Sequence, residues 1–218
     1  MQRDLLDALR CPGTHEESWL VAMVLEANGP TLLVAELACP VCGAAFRIDD
    51  GVAYFADLAP IARHPPAWPT EPYTSDMVLR LAALLGVAES RFPVGLVGHH
   101  AAASGVLASF VSAPQLLINS GPAIPGPGVS RIAVAERLPL GVETLAAIAV
   151  DAAHATSLFL ESAARALRLG GHLVAPADAP VPAGMRVLAR DATEWVAETT
   201  TRASGLVELR RRAPDAIG

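Results

Sequence analysis

The hydrophobic rhythm changes twice along the chain. In RDLLDALR, Leu5, Leu6 and Leu9 share one face at helical spacing, and the stretch stops at Cys11-Pro12. WLVAMVLE and TLLVAELA are strand-like runs separated by ANGP, a turn signal, so they are expected to pair as a hairpin. Asp50-Gly51 supplies a second tight turn, between AAFRI and VAYF. These pieces make residues 1–57 a small α+β unit. DLAPIARHPPAWPTEPYT follows, with five prolines, and residues 58–74 read as a semi-rigid linker or surface strap. His64 and Trp68 lie on it, the Trp as a packed anchor.

From Ser75 the grammar is that of an α/β sheet. SDMVLRLAALLGV is an amphipathic helix with Met77, Leu81, Leu84 and Leu85 as its stripe and Ser75 as its cap. PVGLVG, PQLLINS, RIAVAER, LAAIAVD, HLVAPA, VLARDA and LVELRRR then read as short, mostly apolar strands. TSLFLESAARALRLGG is a helix closed by Gly170-Gly171. Near-continuous apolar strands with helical crossovers predict a sheet covered on both faces over residues 75–213.

Composition narrows the partners. Of 218 residues, 52% are hydrophobic and 17% charged, which excludes general disorder. The net charge of −6 argues against a nucleic-acid partner, and Arg210-Arg211-Arg212 reads as a solvated edge. Every basic residue other than histidine is Arg, a compositional bias without chemical meaning. MQRDLLDALRCP has neither the basic start nor the apolar core of a signal peptide. Phe92 to Ser130 carries no charged side chain, but Gly98, His99, His100, Pro114 and Asn119 interrupt any membrane-spanning run. The sequence therefore predicts a soluble, cytoplasmic protein without membrane contact. Two of its three cysteines, in CPVC, fit a reducing compartment.

The chemistry concentrates in three places. Cys39-Pro40-Val41-Cys42 has the spacing of a zinc knuckle, and the other cysteine, Cys11, is followed by His15. Cys11, His15, Cys39 and Cys42 would complete a structural zinc site. The competing reading is a ribbon that keeps its shape by packing alone. His99-His100 offers an acid/base pair, a metal site or a pocket filling. Asp151 and His154, in VDAAHATS, lie after a strand, where open sheets bind ligands. They are the catalytic candidates, set against a plain turn and helix entrance.

LLDALRCP, the hairpin, CPVCG and FRIDDGVAYF make residues 1–57 resemble the zinc-ribbon proteins that activate tRNA and protein methyltransferases. The departures are Thr14 at the fourth ligand position and Arg47 where that family has proline. SDMVLRLAALLGV, AERLPL and ARALRLGGHLV, in that order, make residues 75–213 resemble a class I S-adenosylmethionine-dependent methyltransferase. The expected fold is a zinc-ribbon-like α+β domain followed by a Rossmann-like class I methyltransferase domain.

The second resemblance assigns the cofactor positions, and most have changed. Of the glycine loop only Gly98 remains; Leu96 replaces the acid, and His100 and Ala102 replace the next two glycines. Asn119 stands at the ribose acid and Val134 at the adenine-reading acid, while GPAIPGPG replaces a helix. Two lost bonds to charged acceptors, each worth about 1.5–3 kcal/mol, predict that S-adenosylmethionine does not bind. The reading is a non-catalytic binding or scaffold subunit acting through a protein partner or a homo-oligomer, its ribbon clamping its own neighbour. The alternative is an active S-adenosylmethionine-dependent methyltransferase with an atypical pocket, and a third reading is a fold that now binds another small molecule.

Overall fold

A computed structural model describes residues 1–55, 73–87, 90–121 and 126–202. Among these described residues eleven strands form one sheet in the order β1-β2-β3-β4-β7-β6-β5-β8-β9-β11-β10. The first four are β1 (Val21–Asn28), β2 (Thr31–Ala38), β3 (Ala45–Asp49) and β4 (Val52–Tyr54), an antiparallel meander with the expected hairpin and Asp50-Gly51 turn. The parallel centre comprises β5 (Val94–Val97), β6 (Gln115–Ile118), β7 (Val129–Ala133), β8 (Leu145–Ala149) and β9 (Leu167–Pro176). β5, β6 and β8 are buried at every position, which is why they read as unbroken apolar runs. The order β7-β6-β5-β8-β9 is doubly wound and Rossmann-like, with its switch point between β5 and β8. An antiparallel pair, β10 (Met185–Arg190) and β11 (Glu194–Thr199), closes that side.

The antiparallel meander and the parallel centre meet within the sheet. β4 runs parallel to β7, with Val52, Ala53 and Tyr54 opposite Arg131, Ile132 and Ala133, and Phe55 N–H donates to Ala133 O at 2.7 Å. The amino-terminal segment is a 3-10 helix, Arg3–Ala8, lying across one sheet face. Its Leu5, with Leu9 just beyond, joins a core that also holds Leu116, Ile132, Leu140 and Phe159. Arg10 N–H donates to Pro139 O, and Gly141 N–H to Ala8 O, both at 2.8 Å. Helix α1 (Ser75–Leu85) packs on the opposite face with a one-turn helix α2 (Ser104–Leu107); α3 (Ser157–Ala166) lies with the 3-10 helix.

Two sequence expectations need correcting. The α1 stripe is Val78, Leu81 and Leu85; Met77 is exposed, and Thr74 rather than Ser75 caps the helix by accepting from Met77 N–H. The glycine pair does not close α3, which ends at Ala166 and passes directly into β9. Gly170 (φ 76°) and Gly171 lie inside β9, beside a register shift; a side chain on Gly171 would crowd Ala146 O and Arg168 O. LVELRRR, His64 and Trp68 lie outside the described residues, and the last described strand is EWVAET. Its Trp195 is fully buried and donates from Nε1 to Ala179 O. Among the described residues, no helix is long and apolar enough to cross a membrane.

Candidate functional site

The four metal candidates converge. Cys11 follows the 3-10 helix, fixed by its N–H to Ser18 O, and Cys39 and Cys42 form a knuckle closed by Gly43 N–H to Cys39 O. One ligand atom from each of Cys11, His15, Cys39 and Cys42 lies within 4.8 Å of all the others. Tetrahedral zinc with bonds of ~2.3 Å to sulfur sets two sulfurs about 3.7 Å apart. Cys11 Sγ and Cys42 Sγ are 3.7 Å apart, and His15 Nε2 is 3.2 Å from Cys11 Sγ and 3.4 Å from Cys39 Sγ. His15 Nδ1 lies 2.6 Å from Glu16 O; a proton held there leaves the Nε2 lone pair facing the cluster. Burial opposes ionisation of Cys39, but N–H bonds from Cys42 and Val41 bring its thiol down to about 6. Burial pushes Cys11 up to about 11. The set fits zinc, with His15 in place of a fourth thiolate and no position left for a substrate.

A second constellation lies at the carboxyl ends of β5 and β8. Gly98, at φ 59°, turns the chain out of β5, and its bare face is filled by Asp151, whose carboxylate a Cβ on Gly98 would overlap. Asp151 Oδ2 accepts from His99 N–H at 2.9 Å and lies 3.3 Å from His99 Nδ1. His154 Nδ1 lies 2.5 Å from Oδ1. The sequence candidates Asp151 and His154 are thus paired, and His99 joins them. Burial resists ionisation of Asp151, yet the bonds from His154 and His99 hold its carboxyl far below the usual carboxylate range.

His100 lies at the wall of a cleft beside this constellation. It is buried, its Nδ1 is 2.6 Å from Tyr73 Oη, and Val150 supplies a backbone hydrogen bond. Burial, reinforced by His99, lowers its pKa to about 4, so it is neutral near pH 7. Burial and then the Glu194 and Asp151 charges raise that of Tyr73. Tyr73 escaped sequence reading because nothing in EPYT marks it. Two further positions are spent internally: Asn119, at φ 51°, accepts from Val134 N–H at 2.8 Å, and Leu96 is fully buried.

The neutral His100 gives a pH dependence of defined sign. Its folded pKa of about 4 lies below the ordinary 6.5, so its contribution is complete above pH 6.5 and is lost as pH falls towards 4. The expected loss is about 3 kcal/mol across that window, and Asp151 protonation adds to it only at lower pH. Thermal melts from pH 7.5 to 4.5 are expected to show this slope in the native chain and a shallower one in His100→Gln. Equal slopes would contradict the assignment.

Tyr73, Arg80, Leu84, His99, Asp151 and Glu194 line a cleft of about 410 Å³ between α1 and the ends of β8, β9 and β11. Arg80 bridges Asp191 (2.5 Å) and Glu194 (2.7 Å) at its wall.

No protein-family model and no curated protein matches the chain. Solved structures similar to part of it are methyltransferases. A putative sarcosine dimethylglycine methyltransferase from Galdieria sulphuraria is 13% identical over 46% of this chain and 45% of its own, with TM-score 0.39. The antibiotic-resistance methyltransferase Kmr is 15% identical over 59% of this chain and 94% of its own, with TM-score 0.37. A Haemonchus contortus phosphoethanolamine N-methyltransferase is 11% identical over 53% and 31%, with TM-score 0.42. The chain spans less than half the length of the first of these.

Proposed function

We propose that this chain is a methyltransferase-like protein whose ribbon, stapled by zinc, extends its own sheet in cis, and whose cofactor pocket has closed on itself. It acts by association rather than by methyl transfer. The observation that carries the reading is Asp151 seated over Gly98. The loop N–H that could face a bound anion is taken by an internal carboxylate, and the room over the remaining glycine is filled. Asn119 Oδ1 likewise accepts from Val134 N–H.

Association has a surface to use. Among the described residues β1 is an edge of the sheet; Val21, Met23 and Leu25 are each more than half exposed, as is Trp19 just before it, and Glu26 is its single charge. Antiparallel pairing of β1 with β1 of a second copy closes under a two-fold axis, so we assign the surface to a homodimer. Sedimentation or light scattering at micromolar concentration is expected to give a dimer, and Val21→Glu a folded monomer. A native chain that stays monomeric at high concentration would remove this part of the proposal.

The open cleft at the switch point favours a second reading, an S-adenosylmethionine-dependent methyltransferase with an atypical pocket. Cofactor binding separates the two.

A further inference from the structure

The cleft that remains beside Asp151 has a chemistry of its own. Two carboxylates, Asp151 and Glu194, line it against one guanidinium, Arg80, which is already held by Glu194 and Asp191. Asp151 is buried, and among the described residues its hydrogen-bond partners are His99 and His154, with no arginine reaching it. Its charged partners are histidines alone, so the carboxylate can take a further cation from the cleft. One wall is aromatic: the rings of Tyr73 and His99 stack with centroids 6.0 Å apart and planes 20° from parallel. π faces of this kind favour a cation over an anion. Met77, Leu81, Leu84 and Val174 supply apolar surface on other sides.

We propose that this cleft is a binding site for a small organic cation, a protonated amine carried on an aromatic or aliphatic body. The ammonium sits between the Tyr73/His99 wall and the carboxylates of Asp151 and Glu194, and the body lies against α1. The volume of about 410 Å³ is within the range of small-ligand pockets, which runs from ~300 Å³ upward. The site rests on the closed-pocket reading, because Asp151 must stay over Gly98 for its charge to face the cleft.

The test compares benzylamine, benzoate and benzyl alcohol, matched in shape, as titrants of the full metal-loaded chain by calorimetry and thermal shift. Benzylamine is expected to bind and raise the melting temperature, with affinity falling as salt rises, and the other two to have no effect. Asp151→Asn is expected to weaken benzylamine at least tenfold. That variant removes a buried charge and can fail to fold, so Ala152→Trp, at an exposed position on the rim, provides the second arm. It keeps both carboxylates and is expected to crowd the mouth and abolish binding. Benzoate binding as well as benzylamine, no binding by benzylamine, or binding unchanged in Ala152→Trp would each overturn the site. An S-adenosylmethionine arm reports separately: a rise in melting temperature there defeats the closed-pocket reading, whichever way the amine result falls.

Discussion

Stripping zinc with a chelator is expected to destabilise the whole sheet, not the ribbon alone. Structural zinc in small domains contributes about 10–16 kcal/mol of folding free energy, as much as the ~5–15 kcal/mol net stability of an ordinary domain. The ribbon has little core to replace it: β1 is exposed along nearly its full length, and β2 buries only Leu32, Ala35 and Leu37. From sequence alone, loss of the metal through His15→Ala loosens residues 1–57 and leaves the second domain folded. The structure changes that expectation. β4 is the lateral partner of β7, and Leu5 and Leu9 share a core with Ile132 and Leu140. Loosening the ribbon therefore exposes the edge and one face of the Rossmann-like part. Purified protein is expected to carry about one zinc per chain, and chelation or Cys39→Ser to lower the melting temperature steeply while amides of β7 lose protection from hydrogen exchange. Metal-free protein with a well-ordered ribbon would favour packing as the sole support.

Asp151→Ala carries the second large effect. Removing one partner from a buried charged network costs about 3–5 kcal/mol, because the remaining groups are left without partners. Here His99 N–H and the Nδ1 atoms of His99 and His154 lose their common acceptor. The expected loss is about 3 kcal/mol in denaturant unfolding at pH 7, with smaller losses in His99→Ala and His154→Ala, each of which leaves the carboxylate one histidine. The same substitution empties the space over Gly98. A loss below 1 kcal/mol would mean that Asp151 is a turn residue and not a hub.

The central strands were legible because both faces of β5, β6 and β8 are covered, leaving no alternation to misread. The Cys11/His15/Cys39/Cys42 grouping was legible because metal ligands obey narrow spacings. β11 was not: EWVAET carries polar ends and a single large apolar residue, Trp195, and its place between β9 and β10 comes from pairing rather than composition. Gly170-Gly171 misled because a glycine pair serves a helix end and a bulge equally well. In the cleft, Asp151 and His154 stood out as a short spacing, whereas Tyr73 and Arg80 reach it from far along the chain. The parallel join of β4 to β7 was beyond any local pattern.

The proposal that the cofactor pocket is closed is tested most directly by isothermal titration of the zinc-loaded full chain with S-adenosylmethionine and S-adenosylhomocysteine. The account predicts no saturable heat up to millimolar ligand and no rise in melting temperature, since a ligand at a hundred times its dissociation constant stabilises by about 2.7 kcal/mol and would be seen. Saturable one-to-one binding at micromolar concentration would contradict it and make the chain a cofactor-binding methyltransferase.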